Sequence, residues 1–152
     1  MPSQAIIERF LSQPNLAFVG VSRDHKQFAN SVYRHLRDGG HTMYPVNAHT
    51  DTIEGDPSYR RLADVPSPVD GVVVMVPEAA VADVVREAVA CAIPRVWLHR
   101  GAGQKPVPAD AVQICLDHGI EVVDGACPLM FESPVRGIHR LHHLMIRRRF
   151  AA

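Results

Sequence analysis

Leu16-Ala17-Phe18-Val19-Gly20-Val21-Ser22-Arg23-Asp24 is the stretch that decides the fold. An apolar run ending in Gly-x-Ser reads as a buried parallel strand feeding a tight turn that opens a helix. That arrangement aims backbone N–H groups and a helix N-terminus at one point, which suits a phosphate. The loop comes close to the dinucleotide fingerprint and departs from it. Gly20 holds the first glycine position, but Ser22 stands at the second. No glycine follows before Lys26, so the position that lets a helix pack closely is lost as well. The second strand then ends in Pro45-Val46-Asn47, with no Asp or Glu to bind a ribose diol. These features describe a nucleotide loop whose pattern argues against NAD.

Working outward, short apolar runs alternate with helical patterns. Ala5, Ile6, Phe10 and Leu11 predict an amphipathic helix within residues 1–14, stopped before Pro14. Strands are expected at Leu16–Gly20, Thr42–Val46, Gly71–Val76, Arg95–His99 and Ile120–Asp124. The third of these is a continuous Val/Met run, as expected of a strand buried on both faces. Phe28, Val32, Tyr33 and Leu36 recur at helical spacing, and Gly39-Gly40 supplies a stop. Asp51–Tyr59 reads as a short extended excursion before the turn-rich Pro66-Ser67-Pro68. Helices follow at Ala79–Cys91, with Val81, Val84, Val85 and Val89 inward, and at Ala109–His118. Residues 127–152 form a loop and a final helix over Val135–Arg149. This alternation predicts one α/β domain over residues 1–152: a Rossmann-like, mostly parallel sheet of about five strands with helices on both faces. Ligands of such sheets sit beyond the C-terminal strand ends.

Composition bounds the function. The chain has 152 residues, 16 Lys plus Arg and 16 Asp plus Glu, so no global field attracts nucleic acid or a membrane surface. No apolar run approaches the ~20 residues of a membrane span, and Gln4, Glu8 and Arg9 break any leader-like start. Cys91, Cys115 and Cys127 are too few and too unpatterned for a disulfide framework. A reduced, cytoplasmic setting is expected.

The ordered series Val19-Gly20-Val21-Ser22-Arg23, Tyr44-Pro45-Val46-Asn47, Asp70-Gly71-Val72-Val73-Val74 and Val96-Trp97-Leu98-His99 resembles the small stand-alone CoA-binding proteins. These in turn resemble the N-terminal CoA-binding domain of the succinyl-CoA synthetase alpha subunit. The likeness runs from about Asn15 to Arg148 and includes Cys127-Pro128-Leu129-Met130-Phe131. It departs from the family at His99, where Gln is frequent, and in a lysine-rich stretch reduced to Lys26. The resemblance implies a site for coenzyme A or an acyl-CoA. The turn amides from Val21 to Asp24 and the Ser22 hydroxyl would donate to its phosphates, while Arg23 and Lys26 supply charge. It also implies that Pro45, Val46 and Asn47, with Val76 and Pro77, flank the adenosine, Asn47 offering donor and acceptor together. His99 stands at a strand end, where an ordinary imidazole would titrate near neutrality.

Each of these residues has a plainer reading: a turn and helix cap for Gly20 and Ser22, solvated surface for Arg23 and Lys26, strand ends for Pro45 and Pro77. Their shared location favours a ligand. Cys127 would meet the CoA thiol only if it lay near the pantetheine end; an inert cysteine is the plainer reading. In the C-terminal segment, His139 and His143 share a helical face without a third ligand, so no metal is assigned. Arg147–Arg149 read as a solvated helix end, and Leu141, Leu144 and Met145 as packing against the sheet or a second copy, a homodimer. No catalytic triad, Walker loop or carboxylate pair is present. The expectation is a CoA-type carrier, sensor or subunit without its own catalytic machinery. An NAD(P)-binding redox protein and a ligand-free interaction module are the alternatives.

Overall fold

A computed structural model of the chain describes residues 2–66, 68–100 and 106–135. In chain order the elements are α1 (Gln4–Leu11), β1 (Asn15–Val19), α2 (Phe28–Asp38), β2 (Thr42–Val46), β3 (Thr52–Ile53), β4 (Asp56–Pro57), β5 (Gly71–Val74), α3 (Glu78–Ala90), β6 (Arg95–Leu98), α4 (Ala109–Asp117) and β7 (Glu121–Asp124). Short 3-10 turns at Leu62–Asp64 and Pro128–Met130 complete the list. The main sheet runs β2-β1-β5-β6-β7, all pairs parallel. It is the doubly wound α/β architecture that the alternation predicts. The chain winds outward from β1 to β2, then crosses back to β5 on the other side of β1. Strand order therefore reverses between β1 and β5, and a crevice opens above their C-terminal ends.

Period-two alternation divides the core. Phe18, Val73, Trp97 and Val123 point to one face, against Phe10 of α1 and Val32, Tyr33 and Leu36 of α2. Ala17, Val72, Val74, Val96 and Leu98 point to the other, against Val81, Val85 and Ala88 of α3 and Ala111 and Cys115 of α4. Val84 and Val89, expected inward, are only partly buried, and Ala88 takes the fully buried position. A small side chain there lets α3 lie close to the sheet.

Two differences from the sequence reading bear on function. First, the turn at Gly20 does not open a helix directly: α2 begins at Phe28, capped by the backbone of Gln27, and Ser22 is no helix cap. The intervening chain is held in turns by its own side chains: Asp24 N–H donates to Ser22 Oγ at 3.1 Å and Lys26 N–H to Asp24 Oδ1 at 3.0 Å. Second, the extended excursion is the β3–β4 hairpin. Its two-residue turn, Glu54-Gly55, has positive φ at both positions (51° and 80°), the mirror-image turn that matches strand twist. The expected helix over Val135–Arg149 lies outside the described residues apart from Val135, as do His139, His143 and Arg147–Arg149.

Candidate functional site

The crevice is built on a backbone contact. Gly20 leaves β1 with φ of +111°, and a Cβ there would lie 2.0 Å from the Met75 carbonyl oxygen. Only glycine lets the first loop pack against the end of β5 in this way. Met75 N–H donates to the Val19 carbonyl at 2.9 Å, extending the β1–β5 ladder to the rim. Beside this seam a cavity of about 360 Å³ is lined by Met75, Val76, Pro77, His99, Val107 and Pro108, among others. Glu78 and Arg100 also border it, so its wall is apolar with a few charged groups at the rim.

All the predicted residues but Ser22 and Asn47 fall into three groups. Gly20, Val76, Pro77 and His99 gather at the seam and the cavity. Arg23 and Lys26 are exposed on the loop, and among the described residues their side chains make no hydrogen bond or ion pair. Pro45, Val46 and Val21 are buried instead, so no strand-end surface is presented to a ligand by the first two. Val46 belongs to the core on the α3 face, and Val21 to the core on the α2 face. Asn47 is engaged internally: Nδ2 donates to the Val21 carbonyl at 3.1 Å, and Oδ1 accepts from His49 N–H at 2.8 Å. The donor ties the β2 end to the first loop and the acceptor shapes the connection after β2, leaving one N–H and one lone pair of the amide uncommitted.

The loop amides are also partly spent. Ser22 N–H donates to Asn30 Oδ1 at 2.9 Å, and the Ser22 carbonyl accepts from Asn30 Nδ2 at 2.8 Å. With Asp24 N–H bonded to Ser22 Oγ, the N–H groups of Arg23 and His25 are those between Ser22 and Gln27 left without a hydrogen bond among the described residues. Asn30, 1% exposed, was not singled out by the sequence. Its signal is positional: it lies three residues before Tyr33 on the inward stripe of α2, where a polar side chain must find partners.

Electrostatics separate the charged groups here. Asp24 is held below the usual carboxylate range by the Lys26 N–H and the Gln27 side chain, so it stays ionised within the loop. The ring of His99 lies 5.7 Å from that of Phe28, the first residue of α2. Burial pushes the His99 pKa below its ordinary 6.5, so the ring is neutral at pH 7, not poised to titrate there. Phe28 is 43% exposed, an apolar ring left at the mouth of the crevice. Cys127 is half-buried at the start of the last 3-10 turn. No cluster of His, Cys, Asp or Glu among the described residues could hold a metal ion, and no described helix is long and apolar enough to cross a membrane.

A glycine-pinned loop and a strand-order reversal define a Rossmann-like α/β domain. The model of the CoA binding domain matches residues 15–132, and the chain belongs to that family. The alpha subunit of an ADP-forming acetate–CoA ligase from Pyrococcus furiosus is 27% identical over 74 residues, which is 48% of this chain and 16% of that protein. An ADP-forming acetate–CoA ligase of Methanocaldococcus jannaschii is 29% identical over 80 residues, covering 52% of this chain and 11% of the relative. The chain thus spans a small part of the curated relatives it matches. A solved Thermus thermophilus structure superposes with a TM-score of 0.71 at 29% identity, covering 82% of this chain and 92% of that one.

Proposed function

We propose that this chain binds coenzyme A or an acyl-CoA in the crevice between β1 and β5 and acts as a carrier, sensor or subunit without catalytic machinery of its own. The observation that carries the reading is the Gly20–Met75 contact, which sets a loop bearing two unpaired cations beside a cavity with a mostly apolar wall. The donor set fits the ligand. Arg23 and Lys26, with the Arg23 and His25 N–H groups, would meet phosphates. Val76, Pro77, Val107 and Pro108 would meet the apolar parts. When bound, CoA supplies a thiol able to carry an acyl group; this chain's residues bind and orient it. Membership in the CoA-binding family supports the choice of ligand, and likeness to parts of acetate–CoA ligases supports a place beside acyl-CoA chemistry.

Thermal unfolding with CoA, acetyl-CoA, NAD, NADP and ATP at matched concentrations tests the reading. A ligand at a hundred times its dissociation constant adds ~2.7 kcal/mol, which raises the melting temperature by roughly 5–10 °C. The expected result is a rise with CoA or acetyl-CoA alone. A rise with NAD or NADP instead would overturn the proposal in favour of a redox protein. No rise with any of them would favour an interaction module.

A further inference from the structure

The loop that carries Arg23 and Lys26 is shaped from outside itself. Asn30 Nδ2 donates one hydrogen to the Ser22 carbonyl and the other to Glu54 Oε1 at 2.9 Å. The same carboxylate oxygen accepts from Arg34 Nη1 at 2.7 Å, and that nitrogen also donates to the His25 carbonyl at 2.9 Å. One oxygen on the β3–β4 hairpin therefore fixes two side chains that grip the loop at Ser22 and at His25.

Glu54 is placed there at a conformational cost. It has φ of 51°, a region that Gly and Asn enter readily and Glu does not. Non-glycine residues persist in such geometry where surroundings over-determine them, and functional sites collect them. Here the surroundings are plain. The Glu54 side chain is only 10% exposed, and its carbonyl accepts from Arg37 Nη1 at 2.8 Å. Arg37 also pairs with Asp56, which in turn accepts from the Tyr33 hydroxyl. The hairpin is thus riveted to α2 independently of Glu54's carboxylate, and that carboxylate is left to serve the loop.

We propose that Glu54 is a positioning residue for the ligand loop: through Asn30 and Arg34 it preorganises Ser22–Gln27, and the β3–β4 hairpin is thereby part of the ligand-binding apparatus. The affinity arm of the proposal rests on the CoA reading; the loop-ordering arm does not. Preorganisation raises affinity by removing the cost of ordering the loop on binding. Without Glu54, one N–H of the buried Asn30 amide and the Arg34 guanidinium lose their shared acceptor, so Asn30 is held only by its two bonds to Ser22 and Arg34 is no longer fixed beneath His25.

Three variants test this with amide hydrogen exchange on the free protein and calorimetric titration with CoA. Glu54→Asn suits the left-handed turn but is too short to hold Asn30 and Arg34. Glu54→Gln keeps the acceptor oxygen. Val85→Ala, in the core on the α3 face, lowers stability without touching the hairpin or the loop. In E54N, exchange at the hydrogen-bonded amides of Ser22, Asp24, Lys26 and Gln27 is expected to quicken at least fivefold and the CoA dissociation constant to rise at least fivefold, with no matching loss of melting temperature. E54Q stays within threefold of the parent on both readouts. V85A lowers the melting temperature and leaves both within twofold. Loop exchange in E54N within twofold of the parent overturns the proposal, as does a V85A change equal to that of E54N. If the parent protein binds no CoA, the functional reading fails while the exchange comparison still decides whether Glu54 orders the loop.

Discussion

Gly20 and Met75 meet backbone to backbone, so a single methyl group at residue 20 would fall 2.0 Å from the Met75 carbonyl oxygen. Relief would require β1 and β5 to separate at the rim, and φ of +111° would be strained in any case. Gly20→Ala is therefore expected to cost about 2–3 kcal/mol. Gly119→Ala is the reference: its φ of +66° is also left-handed, but the added carbon meets nothing within 4 Å, so about 1 kcal/mol is expected. Urea unfolding of both variants checks the order. Equal losses would mean the close approach does not constrain the molecule.

Arg23 and Lys26 project from the loop with no partner among the described residues, so removing either leaves the fold intact. Arg23→Ala is expected to weaken CoA binding about tenfold, in line with ~1.5 kcal/mol for a charge-assisted contact, and Lys26→Ala by less. Because these contacts are exposed, the difference from the parent should shrink at high salt. Titration calorimetry at two ionic strengths measures it, and an unchanged affinity in R23A would remove the loop from the phosphate site.

Burial holds the His99 pKa below 6.5. The folded value lies below the unfolded one, so as pH falls the unfolded chain takes up the proton first. Stability therefore declines below about pH 6.5, until folded His99 is protonated in its turn. His99→Gln removes this contribution. Its stability should fall less steeply than the parent's between about pH 6.5 and 5, as read from urea midpoints across that range. Parallel profiles would show that His99 contributes nothing to the acid response.

The three thiols are expected to separate by reactivity. Cys115 is fully buried against the α3 face of the sheet, where desolvation pushes its pKa up to about 11. Cys91 and Cys127 are half-buried. A colorimetric thiol reagent at pH 8 should titrate two groups in the native protein and the third only on unfolding, with Cys115→Ala leaving the native count unchanged. Three fast thiols would contradict the packing of α4.

What could be read from the chain alone follows the range of the forces involved. The four buried residues of β5 announce themselves because a strand covered on both faces must be apolar throughout, and Gly71–Val74 is. The stretch at Gly20 likewise carries its own geometry. Asn47 and Asn30 do not. Each is polar, and what decides its role is a carbonyl or amide that only the folded sheet brings near: Val21 for the first, Ser22 and Glu54 for the second. The delayed start of α2 has the same origin, since the turns from Ser22 to Gln27 answer to side-chain bonds that no apolar period records. Pro45 was legible as a strand residue, but not as one sealed from the crevice.

That proline has a consequence at the other side of the molecule. β2 is an edge strand, and its outward-facing groups at the upper end are Pro45, which has no N–H, and Asn47. Tyr59 takes both remaining bonds, donating to the Pro45 carbonyl at 2.9 Å and accepting from Asn47 N–H at 2.8 Å. An open edge is a template on which a stray strand from another chain can grow. Here the connection that leads away from β2 folds back and occupies the groups at its upper end, so that stretch of the edge offers an incoming strand nothing to pair with.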